Sequence, residues 1–206
     1  MTKPALRIVP PAIEIRKVAT PRGPRNDTVR TREYLTEAEV EALIAACEDN
    51  RRPHRDATMI LIAFRHGLRA SELIDLQWTQ VNFEAAQLAV SRVKNGTPST
   101  HPMTGRELRA LRKLRRDGKS PFVFVSERGA PVTVSNFAKL MTKASAVAGL
   151  EIKAHPHMLR HACGFTLANA GKDMRSLQVY LGHKNIQHTV RYTELAPTRF
   201  KGWWKD

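Results

Sequence analysis

The chain has 206 residues, 42% of them hydrophobic, which suits one large globular domain or two small ones. Its 34 lysine and arginine residues outnumber 19 acidic residues and give a formal net charge of +15. No apolar run approaches the ~20 residues that cross a bilayer, and no secretory leader is expected. Two cysteines, Cys47 and Cys163, are too few for a disulfide framework. These features exclude secreted, membrane and fibrous classes, and we expect a cytoplasmic protein.

The positive charge indicates a polyanionic partner. DNA carries roughly one negative charge per 1.7 Å of its axis, so nucleic acid is the first candidate. Acidic lipid is the second, and a charge that serves only solubility is the third. Charge alone does not decide between them.

Residues 1–33 differ from the rest of the chain because they are rich in proline and arginine. Proline interrupts helices, so we expect a flexible or extended basic arm. Two interpretations remain open: a disordered tail, or a strap that contacts phosphates.

The first predicted elements are helices. A capping box at residues 36–39 precedes apolar residues at helical spacing. A second helix, about 55–66, is almost wholly apolar and is expected to be central. Gly67 stands where a left-handed residue ends a helix, and Ser71 is predicted to cap a short helix that reaches Leu76.

A strand-like pattern follows. Apolar residues alternate over residues 81–103, and Asn95-Gly96 is a strong hairpin signal. The sequence predicts a small antiparallel sheet there, with Lys94 just before its turn. The apolar run at 122–125 is one further candidate strand.

The rest of the chain is predicted to be helical. A second capping box, Thr104 to Glu107, opens a helix. Further helices are predicted from Ser135 to a stop at Gly149, and at 157–170, 174–181 and 189–195. The predicted fold class is therefore mainly α with a small antiparallel β-sheet (α+β).

The last segment, 196–206, holds the aromatic residues Phe200, Trp203 and Trp204. Large apolar side chains are costly to leave in water, at about 25 cal/mol per Å². They either fold back on their own domain or dock on a neighbouring subunit.

The densest cluster of polar residues lies between His155 and Tyr192. On a helix that begins after Pro156, the residues His157, Arg160 and His161 share one face. That face combines a permanent cation with imidazoles that exchange protons.

Three interpretations of this face compete. The histidines could make ordinary structural hydrogen bonds. His157 and His161 could bind zinc with Cys163 or His183, although the fixed charge of Arg160 disfavours a metal. The third interpretation is a phosphate site, in which Arg160 binds the oxygens and His157 assists.

A second arginine, Arg69, stands just before a predicted helix start, where backbone amides favour an anion. Glu72, three residues later, could hold its guanidinium in place. Lys94, beside the predicted turn, would reach a ligand that lies across the domain.

These motifs occur in the order found in the catalytic domain of the tyrosine recombinases, the phage integrase family. They are Gly67-Leu-Arg69-x-x-Glu72-Leu73, Lys94, His157-x-x-Arg160-His161, Leu181-Gly182-His183 and Tyr192. The resemblance extends from about Leu35 to Tyr192. The run from His155 to Cys163 resembles still more closely the invertases that control type 1 fimbrial phase variation.

The resemblance implies a catalytic domain of the tyrosine recombinase fold at 34–195. The basic arm, 1–33, precedes it where longer integrases have a core-binding domain. The aromatic tail, 196–206, follows it, and exchange of this tail between subunits is implied.

The resemblance also implies a role for each site residue. Tyr192 is the nucleophile that forms a 3′-phosphotyrosine, and Lys94 is the general acid for the departing 5′-oxygen. Arg69 and Arg160 hold the phosphate, and their charges are expected to favour the phenolate. His157 and His183 are implied to be further hydrogen-bond donors to the phosphate, and His157 also to aid proton transfer at the tyrosine. Glu72 is implied to be an orienting residue, and His161 a structural one.

The function implied is site-specific DNA recombination, by inversion or by integration and excision, without metal or other cofactor. The expected partners are double-stranded DNA with inverted-repeat half-sites, further copies of the chain in a tetramer, and a DNA-bending accessory protein. The expected location is the bacterial cytoplasm, at the nucleoid and away from membranes. Two alternatives are a catalytically silent DNA-binding regulator on the same fold and a relaxase similar to type IB topoisomerases.

Overall fold

The computed structural model describes residues 33–92, 96–117 and 120–194. These residues all belong to one unit of the chain, Glu33–Asp206. The predicted basic arm, the hairpin residue Lys94 and the aromatic tail at 196–206 all lie outside the described residues, apart from Glu33 at the end of the arm.

Helices dominate the described part of the chain, as predicted. They are α1 (Glu37–Ala45), α2 (Pro53–Arg65), α3 (Ala70–Ile74), α4 (Gly105–Asp117), α5 (Val134–Val147), α6 (Pro156–Asn169), α7 (Met174–Leu181) and α8 (Gln187–Glu194). None of these described helices is long and apolar enough to cross a membrane.

A three-stranded antiparallel sheet, in the order β1-β2-β3, lies between α3 and α4 in the chain. Its strands are β1 (Val81–Asn82), β2 (Gln87–Val90) and β3 (Ser99–Pro102). Leu88 pairs with Val81 on one side and with His101 on the other. The predicted α+β fold class with one small antiparallel sheet is confirmed.

The candidate strand at 122–125 was wrong. Phe122 and Val125 form only isolated bridges, to Gln77 and Pro131 respectively. The run passes from one short partner segment to another, so no continuous ladder can form.

Capping residues begin several helices as the sequence predicted. Thr36 N donates to Glu39 Oε2 at 2.7 Å, and Thr104 N donates to Glu107 Oε2 at 2.8 Å. Both carboxylates satisfy amides that a helix start leaves unpaired.

The predicted cap at Ser71 was also wrong. Helix α3 begins at Ala70, and the residue before it, Arg69, is the N-cap. Arg69 N donates to Glu72 Oε2 at 2.9 Å, so the carboxylate of Glu72 fixes the helix start two residues earlier than predicted. The helix ends at Ile74 rather than Leu76.

Helix α2 runs through the centre of the core, where Ile60 and Ile62 are fully buried. It packs against α1, α4 and α6. Its C-terminal turn ends at Gly67, which has the predicted left-handed conformation with φ +56°. A Cβ at Gly67 would lie 2.6 Å from Leu181 Cδ2, so this glycine also lets the end of α7 approach the end of α2.

Candidate active site

Arg160 joins two distant backbone segments at the centre of the site. Its guanidinium, 1% exposed, donates through Nη1 to Gly67 O at 2.6 Å and through Nη2 to Leu181 O. The apolar flank of α6 orients it, because Leu159 and Phe165 are buried as predicted. Burial, followed by the charges of Arg69 and Arg92, lowers the pKa of Arg160 to about 10. The side chain therefore stays cationic at neutral pH.

Glu72 is the anion that holds the arginines together. Its Oε1 accepts from Arg69 Nη1 at 2.7 Å, and its Oε2 lies 4.0 Å from Arg160 Nη1. Burial alone would raise the pKa of this carboxyl, but the hydrogen bonds and charges of Arg69 and Arg92 lower it below its usual value. Glu72 is thus ionised at neutral pH and binds the guanidinium of Arg69, the contact that the sequence suggested.

Arg92 is a third arginine of the site, and the sequence reasoning missed it. Its Nη1 donates to Glu72 Oε2 at 2.9 Å, and its Nη2 donates to Tyr180 O. The only signal in the sequence was its place in the region 81–103, where a small sheet was predicted. Three guanidiniums around one carboxylate leave an excess of positive charge, which suits an anionic ligand.

His183 lies beside these arginines, on the turn between α7 and α8. The turn begins at Gly182, which has φ +65°. His183 Nδ1 lies 2.9 Å from the hydroxyl oxygen of Thr189, a fully buried residue, so Nε2 is the ring nitrogen left for a ligand. Burial, followed by the charge of Arg160, lowers the pKa of His183 to about 3. The imidazole is therefore neutral at pH 7.

Tyr192, on α8, is docked against α6 and is only 2% exposed. A Cβ at Gly164 would lie 2.8 Å from carbons of the tyrosine ring, so the ring rests directly on the helix backbone. Burial raises the pKa of Tyr192 to about 12, although the charge of Arg160 acts in the opposite direction. The guanidiniums thus act in the expected direction, towards the phenolate, but burial has the larger effect on the pKa, so Tyr192 is protonated at neutral pH in this state.

The hydroxyl of Tyr192 forms a hydrogen bond with His161 Nδ1 at 2.9 Å. His157 is exposed, and its ring meets the ring of His161 edge-on, with 4.5 Å between the ring centres. His161, which was expected to be only structural, is thus the residue that is hydrogen-bonded to the hydroxyl of Tyr192. The proton-transfer role of His157 stays a prediction.

No group of three or more histidine, cysteine and acidic side chains in the described part of the chain could hold a metal ion. The candidate zinc ligands have other partners. His161 is bonded to Tyr192, and the thiol of Cys163 donates to Arg65 O at 3.6 Å.

Most of the predicted site residues therefore lie together. Arg69 caps α3, Arg160 lies on α6, and both contact the carboxylate of Glu72. Tyr192 stacks parallel to His183, with 6.1 Å between the ring centres. Lys94 lies outside the described residues.

Known proteins resemble this chain in both sequence and structure. A profile of the phage integrase family matches residues 33–199. The type 1 fimbriae regulatory protein FimB of Escherichia coli K12 is 39% identical over 181 residues, which cover 85% of this chain and 90% of FimB. Tyrosine recombinase XerD of Pseudomonas putida is 34% identical over 176 residues, 81% of this chain and 59% of XerD.

The crystal structure of XerA recombinase has the same fold, with a TM-score of 0.71 and 26% sequence identity. The similarity covers 81% of this chain and 62% of the XerA chain, so this chain spans less than two thirds of that structure. These relatives do not favour a silent regulator or a relaxase. Together with the matched profile they show that the chain belongs to the phage integrase family and is a site-specific tyrosine recombinase.

Proposed function

We propose that the chain cuts and rejoins DNA through a covalent bond between Tyr192 and a 3′-phosphate. In cleavage the bond from Tyr192 Oη to phosphorus forms and the bond from phosphorus to O5′ breaks. The phenolic proton passes to the imidazole of His157, and O5′ takes a proton from Lys94. The covalent link conserves the phosphodiester bond energy, so rejoining needs no nucleotide cofactor.

The observation that carries this proposal is the convergence of two guanidiniums and one phenol that are distant in the chain. Arg69 and Arg160 share Glu72, and Tyr192 lies one helical turn from Arg160 along α6, over Gly164. Attack on a phosphodiester concentrates negative charge on the non-bridging oxygens, which fixed cations stabilise. Loss of one such preorganised donor typically lowers the rate by about 10²–10³-fold.

The histidines complete the set of donors. The hydroxyl of Thr189 is hydrogen-bonded to Nδ1 of His183, so Nε2 remains to donate to the phosphate. His157 lies in the first turn of α6, where the helix dipole favours an anion. For reaction the hydroxyl of Tyr192 moves from His161 to the phosphorus, where the arginines oppose the effect of burial on its pKa.

The net charge of +15 supports double-stranded DNA as the substrate. We extend the proposal to inverted-repeat half-sites, a tetramer on DNA and a DNA-bending accessory protein in the bacterial cytoplasm. The catalytic domain would comprise residues 34–195, with the arm 1–33 on DNA and the tail 196–206 passed between subunits. Inversion and integration or excision differ in the arrangement of sites rather than in this chemistry.

A trapping experiment tests the proposal. Nicked suicide duplexes are built from inverted repeats in the DNA beside its own gene and incubated with protein in EDTA. The wild type should form a covalent adduct, and Tyr192→Phe should bind the duplex without forming one. Tyr180→Phe is the matched control, because the Tyr180 hydroxyl donates to Arg65 O at 2.9 Å and has no proposed role in cleavage.

Three results would contradict the proposal. An adduct with Tyr192→Phe would remove the tyrosine from its role. A strict need for added metal would contradict the metal-free mechanism. Relaxation of supercoiled plasmids that lack the repeats would favour the topoisomerase-like alternative.

A further inference from the structure

Helix α4 presents a row of cations to solvent. Four exposed residues stand at i, i+3, i+4 and i+7 spacing and therefore share one face of the helix. They are Arg109, Arg112, Lys113 and Arg116, and we call them the basic face. The opposite side of the helix enters the core, where Leu111 is fully buried. The basic face therefore points away from the core of the domain.

The charges of the basic face are not neutralised within the described part of the chain. No described carboxylate lies within ion-pair distance of these four side chains. Glu107, on the same helix, is buried, and its Oε1 lies 2.7 Å from His66 Nε2. Arg106, by contrast, does pair with an acidic residue, Glu41, at 2.6 Å. Like charges three and four residues apart destabilise a helix, so an anion that covers the basic face would stabilise it.

The basic face is remote from the arginine cluster of the site. Helix α2 reaches that cluster only at its C-terminal end, where Gly67 O accepts from Arg160. Helix α4 packs across α2, and its Ala110 O accepts from Nε2 of His54, in the first turn of α2. The 13 residues of α2 span about 20 Å. Arginine side chains are much shorter than this, so the basic face does not contact a phosphate that Arg160 holds.

Double-stranded DNA is the anion that fits the basic face best. The face extends over about 10 Å of helix, and a duplex carries roughly six negative charges along that length of its axis. Three of its four cations are arginines, whose planar guanidiniums bind phosphate oxygens at two points. An acidic protein would need carboxylates at matching positions, whereas every duplex presents phosphates at regular spacing.

We propose that the basic face of α4 binds a second segment of double-stranded DNA, separate from the segment that is cleaved. The contacts are with phosphates, so binding does not depend on base sequence. One protomer then holds two duplexes, one at the arginine cluster and one on α4. This goes beyond the proposed function, because it concerns how distant DNA segments are brought together rather than how a strand is cut.

The test measures capture of one duplex by protein that is bound to another. Protein is loaded on an immobilised duplex without inverted repeats, and a labelled duplex, also without repeats, is added. The α4 variant combines Arg109→Glu with Lys113→Glu. Each new glutamate has an arginine three residues later, at Arg112 and Arg116, so the helix is expected to stay folded. Arg112 is left in place because its guanidinium lies over the ring of Phe83.

We expect the α4 variant to capture the second duplex at least about 10-fold less well, because two phosphate contacts become repulsions. The slope of the logarithm of the capture constant against the logarithm of salt concentration should become shallower by about 2, one unit for each lost contact. Formation of the covalent adduct on the suicide duplex, at saturating protein, should proceed at the wild-type rate.

A charge-matched control separates the basic face from net charge. The α7 variant combines Lys172→Glu with Arg175→Glu and changes the net charge by the same amount. Both residues are exposed at the start of α7, which reaches the site only at its other end, where Leu181 O accepts from Arg160. Capture and adduct formation by the α7 variant should both stay close to the wild-type level.

Unchanged capture by the α4 variant would overturn the inference, and so would an equal loss of capture in the α7 variant. Loss of adduct formation in the α4 variant alone would place the cleaved segment on this face, contrary to the inference. Polyglutamate or phosphatidylserine vesicles that block capture where an unlabelled duplex does not would assign the face to an acidic protein or to lipid instead.

Two provisions keep the test decisive. If circular dichroism shows the α4 variant to be unfolded, Arg109→Gln with Lys113→Gln takes its place, against Lys172→Gln with Arg175→Gln. If the wild type forms no adduct, the proposed function fails on its own. Capture involves no cleavage, so it still decides whether α4 binds a second duplex.

Discussion

At the scale of single residues, Arg160 shows why an arginine is needed at the centre of the site. Its two Nη atoms donate to carbonyls of two different segments, at Gly67 and Leu181. The ammonium of a lysine presents all its donors from one nitrogen atom. It therefore cannot reach both carbonyls and bind a phosphate at the same time. We expect Arg160→Lys to lower the rate of adduct formation by about 10²-fold or more.

The same variant leaves one buried carbonyl without its donor, which typically costs about 1–3 kcal/mol of folding free energy. Adduct rates should therefore be measured below the melting temperature of the variant, with DNA binding measured in parallel. Cleavage by Arg160→Lys at nearly the wild-type rate would contradict the phosphate-holding role.

Residues with local signatures were the ones that the sequence could predict. The helical spacing of His157, Arg160 and His161 and the position of Arg69 before a helix pointed to a phosphate site. Arg92 escaped because its partners lie 20 residues away at Glu72 and 88 residues away at Tyr180. The bond between His161 and Tyr192 joins two helices in the same way, so only their packing could reveal it.

At the scale of elements, the contact between α6 and α8 depends on the absence of a side chain at Gly164. A Cβ there would meet ring carbons of Tyr192 at 2.8–2.9 Å, so the ring must shift. We expect Gly164→Ala to lower the free energy of unfolding by about 1–3 kcal/mol, a cost that exceeds the ~1 kcal/mol gain in helix propensity. The pKa of Tyr192 should fall from about 12 as its ring becomes more exposed.

Denaturant unfolding and ultraviolet titration of the tyrosines measure the two effects. Gly105→Ala, on α4, is the matched control, because a Cβ there would meet only the flexible end of Arg109, at 3.3 Å. Unchanged stability and an unchanged tyrosine titration in Gly164→Ala would contradict the close packing of ring on helix.

Element boundaries were predictable where the signal was local and failed where a tertiary partner decided. The capping boxes at Thr36 and Thr104 begin their helices as expected. The cap at Ser71 failed because Glu72 binds the amide of Arg69 while also pairing with arginines of the site. The strand at 122–125 failed because Phe122 and Val125 pair with two different segments, at Gln77 and Pro131, so no continuous ladder forms.

At the scale of the whole molecule, one buried and two half-buried histidines make stability depend on pH. Burial lowers the pKa values of His101, His161 and His183 from 6.5 to about 3. Between these values the unfolded chain binds more protons than the folded chain. Stability is therefore full above about pH 6.5 and is lost as the pH falls towards 3, by up to about 1.4 kcal/mol per pH unit for each such histidine.

We expect the free energy of unfolding, measured in urea at fixed pH values, to fall between pH 6.5 and 4.5. His101 is fully buried, with Ser99 Oγ 2.8 Å from its Nε2. His101→Gln, which keeps a polar side chain but cannot titrate, should reduce the slope. A stability that stays constant over this interval would contradict the prediction.

In the proposed mechanism, the resting position of Tyr192 limits unintended cleavage of DNA. Tyr192 is only 2% exposed, and its hydroxyl is hydrogen-bonded to His161. The phenol is therefore shielded from phosphates when this cationic protein binds DNA nonspecifically. Encounters with random sequence would then end without a nick. Part of the affinity for a true target is consumed in releasing the tyrosine, and each tenfold bias towards the resting state requires about 1.4 kcal/mol of that affinity.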